Sequence, residues 1–92
     1  MSDDRYRQAS DLDTETEGDA VVVRMTADEW GVFEGTALDL WRLLTAPRSV
    51  GEIAEALSST YRADAATIAR DTAATLAEWE RRGLVTRVPS SA

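Results

Sequence analysis

The chain predicts an α+β fold of the winged helix-turn-helix type, and three observations point there. A Val-rich run, Ala20 to Met25, is followed closely by a second extended run, Trp30 to Glu34. Three amphipathic helical patterns come next, each opened by a capping residue: Thr36, Ser49 and Asp64. A short β-branched run within Leu84 to Val88 closes the order. The expected architecture is an N-terminal antiparallel β-hairpin or three-stranded sheet followed by three helices.

Each element follows from its residues. Val21, Val22 and Val23 carry the β-branched side chains that suit a pleated strand. Thr26 to Glu29 is polar and turn-like, so the two strands form a hairpin. Gly35 breaks the pattern, and Thr36 with Asp39 three residues on reads as a variant capping box. Leu38, Trp41 and Leu44 make the inward stripe of that helix, widened by Leu40 and Leu43. Pro47 ends the segment, because the residue before proline avoids the helical region. Ser49 with Glu52 is a full capping box, and Val50, Ile53 and Leu57 give the buried face of the second helix. Tyr61 is expected to fold back onto the core. Asp64 caps a third helix that runs to about Arg82, with Ile68, Thr72, Leu76 and Trp79 on one side. Gly83 suits the left-handed position past a helix end, and Arg81 and Arg82 suit the negative end of the helix dipole. Trp41, Ile53, Leu57, Leu76 and Trp79 are expected to be buried together.

Composition narrows the function. A length of 92 residues allows one domain with a modest core. The absence of Cys removes disulfides, thiolate metal sites and thiol nucleophiles. The absence of His removes the commonest general base and metal ligand. No catalytic set and no metal site is expected. The net charge of −7 opposes nucleic acid and anionic membranes as partners. No apolar run reaches the ~20 residues of a membrane span, and the N-terminus lacks the order of a signal peptide, so a cytoplasmic location is expected.

The charge divides the chain. Residues 1–19 hold seven acids and two bases, a net of −5, while residues 20–92 net only −2. Residues 1–18 therefore read as an acidic, largely flexible arm, in which Tyr6 to Ala9 is the one piece suited to a short strand. Residues 19–88 form the folded domain, and residues 89–92 a frayed tail.

The ordered set of motifs resembles the PqqD-like family, the recognition elements of ribosomally made and modified peptides. The likeness covers roughly residues 18–86. It rests on the Val21–Met25 and Trp30–Phe33 strands, and on Thr36-Ala37 ahead of Trp41 and Leu43-Leu44. Arg48-Ser49-Val50 with Glu52-Ile53-Ala54 and Leu57 is the most specific part, and Asp71, Leu76 and Gly83-Leu84-Val85 complete it. The chain differs in having Glu34 where the family often has Asn, and Thr72 and Thr75 where bulkier apolar residues are usual.

The resemblance implies a cofactor-free, non-catalytic module that binds a leader peptide as an added strand and presents it to a modifying enzyme. The implied peptide-binding residues are Glu29, Trp30, Gly31, Val32, Phe33 and Glu34 on the strand edge. Asp71, Thr72, Thr75 and Glu78 on the third helix form the other wall. The implied partners are a precursor peptide and its maturation enzyme. Alternatives exist residue by residue. Trp41 and Trp79 suit the core better than a ligand platform. Trp30 stands where one face of an edge strand is open, Asp71 suits a solvated helix charge, and Glu34 suits an edge blunted against aggregation. Arg70, Arg81 and Arg82 would be the reading residues of a DNA-binding or regulatory winged helix-turn-helix, yet Asp71, Glu78 and Glu80 share their helix. Ser49 would be the attachment point of a carrier protein, but Arg-Ser-Val fits a helix cap instead.

Overall fold

A computed structural model describes residues 4–25 and 28–88. Part of the expected turn, Thr26 and Ala27, and the tail 89–92 lie outside the described residues. The elements run β1 (Arg5–Gln8), β2 (Asp13–Glu17), β3 (Ala20–Arg24), β4 (Trp30–Phe33), α1 (Thr36–Leu43), β5 (Arg48–Ser49), α2 (Val50–Tyr61), α3 (Ala65–Arg81) and β6 (Val85–Val88). The α+β class and the three helices are as expected. The strands form two antiparallel three-stranded sheets, one in the order β2-β3-β4 and the other β5-β1-β6.

The hairpin sheet owes its register to the valines. Val21 lies opposite Phe33, and Val23 opposite Gly31. Val21, Val23 and Phe33 are buried on the inner face. A slip of one residue would turn all three to solvent. Beneath them, Phe33 stacks on Trp41 with centroids 4.9 Å apart, and meets Trp79 at 4.8 Å. The two tryptophans meet edge to face at 5.9 Å. Such offset and edge-on pairs add attraction beyond burial alone. Trp41, Ile53, Leu57, Leu76 and Trp79 are all buried in one cluster, the set that helical spacing selects.

The helix ends hold both agreements and corrections. Ser49 and Glu52 form the reciprocal capping box, and the Asp64 carboxylate accepts from Thr67 N–H at 3.1 Å. Gly83 has φ +78 and closes α3. Thr36 is not the cap of α1: Gly35 occupies that position at φ 61 with no side-chain hydrogen bond, and Thr36 is the first helical residue. A left-handed backbone there needs glycine, and glycine has no side chain to cap with. Helix α1 also ends at Leu43, before Pro47 can act. Leu44 N–H and Thr45 N–H bond back three residues to Trp41 and Arg42 oxygens, so the last turn tightens. Tyr61 does not fold onto the core. It is the last residue of α2 and 42% exposed, with its hydroxyl donating to the Asp39 carboxylate.

Residues 4–18, expected to be a largely flexible arm with one piece suited to a strand at Tyr6 to Ala9, hold two strands, the first of them at that piece. β1 lies between β5 and β6, with Tyr6 opposite both Arg48 and Arg87. Gln8 joins this sheet to α1. Its backbone N–H donates to Leu44 O at 2.9 Å and its side-chain amide to Trp41 O at 2.8 Å. Arg48 Nε donates to Leu43 O at 2.8 Å. Together they satisfy carbonyls that the end of α1 leaves without helical partners. Acidic, hydrophilic residues order here because the backbone pairs, and apolar burial is only part of the drive.

Candidate functional site

The β4 edge of the hairpin sheet is open, since β4 ends the order β2-β3-β4. Which of its groups face outward follows from the ladder. Met25 N–H bonds Glu29 O at 2.9 Å, so that pair is of the hydrogen-bonded kind. Antiparallel pairs alternate in type. The pairs Val23–Gly31 and Val21–Phe33 are then hydrogen-bonded, while Arg24–Trp30 and Val22–Val32 are not. Glu29, Gly31 and Phe33 thus turn their backbone groups toward β3. Trp30 and Val32 turn theirs to the open edge. Their side chains stand 48% and 60% exposed.

Where β4 ends, a cavity of about 270 Å³ opens between α1, α2 and α3. Asp71, Thr72 and Thr75 of α3 line it, as do Thr36, Ala37 and Leu40 of α1, Leu57 of α2 and Ile68. The structure therefore groups three of the four helix residues expected at the site. Glu78 does not line the cavity. Its carboxylate pairs with Arg81 and, at 3.3 Å, with Arg82. Of the strand residues, Glu29 and Glu34 are exposed at the two ends of β4. Gly31 is half-buried, with the Met25 side chain 3.6 Å from where a Cβ would stand. Phe33 belongs to the core and lies against Trp79, which brings β4 over α3.

Sequence reasoning missed Leu40, Leu57, Ile68, Thr36 and Ala37 as cavity residues. Leu40 and Leu57 read as core because they sit on apolar stripes, and both are indeed buried. A periodicity locates the inward face, yet it does not reveal that two facing helices leave a gap between them. Thr72 and Thr75 carried the one available signal. They are small polar residues at positions where bulk would fill the groove.

The charges of the helical half are largely engaged. Arg81 and Arg82 share Glu78, and Arg87 bonds Glu80 at 3.0 Å and Asp4 at 3.3 Å. The Glu80 carboxylate holds the Arg87 guanidinium above its ordinary pKa. Two of the three arginines required of a DNA-reading helix are thereby neutralised locally. Among the described residues, no group of three or more Asp, Glu, His or Cys side chains is arranged to hold a metal ion. No helix among them is long and apolar enough to cross a membrane.

Fold and site define a small α+β domain that carries an open strand edge on its hairpin sheet and a largely apolar cavity among its three helices. The chain belongs to the PqqD family: the profile of coenzyme PQQ synthesis protein D (PqqD) matches residues 12–85. That family consists of non-catalytic accessory proteins associated with ribosomally made peptides and their partner enzymes. The match takes in β2 through the start of β6 and leaves β1 outside. Comparison with curated proteins and with solved structures gives no match.

Proposed function

We propose that the chain binds the leader segment of a ribosomally made precursor peptide and presents it to a modifying enzyme. The peptide adds as an antiparallel strand to β4, against the Asp71-to-Thr75 side of α3. The observation that carries this reading is the open edge at Trp30 and Val32, whose backbone groups point away from β3 and toward solvent. A bound strand satisfies such groups, and pockets at alternate positions then select sequence. The apolar cavity at the end of β4 receives a leader side chain, and Asp71 at its wall favours a basic neighbour. Family membership supports the partner class. On this reading the helices wall a peptide groove beside the hairpin edge and do not read DNA.

An NMR titration with synthetic leader segments of candidate precursor peptides tests the reading. Amide shifts are expected in residues 29–34 and along α3 from Asp71 to Thr75. Shifts confined to α1 and the C-terminal strand would overturn it. Val32→Pro should abolish binding and leave the fold intact, because the N–H it removes faces away from β3. Thr75→Arg should weaken binding by filling the cavity. The effect of Asp71→Ala should appear with a basic leader residue and fade as salt rises.

A further inference from the structure

The outer face of the hairpin sheet is uncovered, and it lies on the side away from the buried face that packs on the helices. Register places Asp13, Arg24 and Trp30 in one row across the three strands, and Glu15, Val22 and Val32 in the next. These rows stand opposite the buried face of Val21, Val23 and Phe33. Trp30 and Val32 are the most exposed large apolar side chains beside Tyr61, and the Arg24 guanidinium lies 4.5 Å over the Trp30 ring. A depression of about 280 Å³ on this face is lined by Asp13, Thr14, Glu15, Val22, Arg24 and Trp30. Along β2, Asp13, Glu15 and Glu17 alternate on this face, all exposed, with no ion pair among the described residues. Carboxylates at alternate strand positions lie only about 7 Å apart and repel one another.

We propose that this face docks a protein surface with an apolar centre and an Arg- or Lys-rich rim, that of the enzyme acting on the bound peptide. An aromatic anchor flanked by charges is the anatomy of a binding patch. The sign of the rim selects the partner. A second copy of this chain would bring acid row against acid row at a net charge of −7 each. Nucleic acid and anionic lipid fail for the same reason. A basic rim relieves the repulsion along β2 and is steered toward it.

The proposal rests on the strand-addition reading in one respect. Trp30 and Val32 give their backbone to the β4 edge and their side chains to the outer face. Leader residues added opposite them place their own side chains on that same face. The docked enzyme then touches sheet and leader together, so the leader strengthens enzyme binding and, by linkage, the enzyme strengthens leader binding.

The test uses the full chain, a purified candidate peptide-modifying enzyme, and a fluorescent leader peptide. Enzyme affinity is measured with and without leader, and leader affinity alone. The double variant Glu15→Arg/Glu17→Arg should lose about tenfold or more in enzyme affinity and keep its leader affinity, since β2 is remote from the β4 edge. Rising salt should weaken the native pair and spare the variant. Circular dichroism checks the fold, and Glu15→Gln/Glu17→Gln gives a milder step of the same sign if the reversal unfolds the chain. Enzyme affinity unchanged in a folded variant overturns the docking face. A native chain that binds enzyme in a charge-dependent way but no leader refutes strand addition and leaves the docking face standing.

Discussion

Gln8 shows how much one polar residue can hold. It lies in a segment whose composition suggests mobility, yet its two hydrogen bonds end helix α1 and tie it to β1. Gln8→Ala removes the side-chain bond to Trp41 O and should lower stability by about 0.5–1.5 kcal/mol, measured as a shift in denaturant midpoint. Glu52 does similar work at the start of α2. Its carboxylate accepts from Ser49 N–H at 2.9 Å and pairs with Arg5 at 3.0 Å. The Ser49 backbone bond, helped by Arg5, holds its pKa below the ordinary glutamate value. A lowered carboxylate pKa means that the folded state binds the proton less readily than the unfolded chain. The stability it supplies is present above the ordinary glutamate range, about pH 4.3, and is lost as pH falls through the lowered value. The difference in thermal midpoint between the native chain and Glu52→Gln should therefore shrink on acidification. The difference is small, because the pair is solvent-exposed.

At the scale of elements, the two ends of the chain meet. β1 pairs with β6 over four residues and with β5 over two, so the N-terminal segment closes a sheet that the C-terminal strand cannot form alone. A chain beginning at Asp19 loses this central strand, the Gln8 bonds and β2. Its urea midpoint should fall well below that of a chain beginning at Asp4, and its transition should broaden. Equal midpoints would show that β1 contributes nothing to the fold. Tyr6 to Ala9 read as suited to a strand, but composition hid where it pairs, because Arg5 to Gln8 offers only Tyr6 to the apolar core. Its partners lie more than forty residues away, where no local pattern reaches. The hairpin and the three helices were legible for the opposite reason. Their signals, β-branched runs, capping boxes and apolar stripes, are local and repeated within each element.

Across the whole molecule, core and candidate site share residues. Leu57 is buried in the main cluster and also lines the cavity between the helices. Leu57→Ala should cost roughly 2–5 kcal/mol, read from chemical denaturation, because the helices around it relax only partly into the space left. An unchanged midpoint would sink its placement. The same substitution enlarges the cavity, so leader affinity should change even where the chain remains folded. Charge is divided as clearly as packing. Cations gather at the C-terminal end of α3 and pair there, while the β2 carboxylates on the outer sheet face form no ion pair among the described residues.

The sequence by itself determined the α+β class, the two strands of the hairpin, the helix starts at Ser49 and Asp64, and the burial of Trp41 and Trp79. These depend on period, capping chemistry and apolar bulk, which neighbouring residues express. Only the tertiary structure decided that Gly35 is the N-cap of α1, that Tyr61 stays outside, and that β1 lies between β5 and β6. It alone decided that Trp30 and Val32 turn their backbone to an open edge, and that Asp71, Thr72 and Thr75 face a cavity while Glu78 binds arginines. Each of these outcomes is settled by groups distant in the chain or by the alternation of a ladder. Free energy there depends on which partners arrive, and local sequence does not encode that.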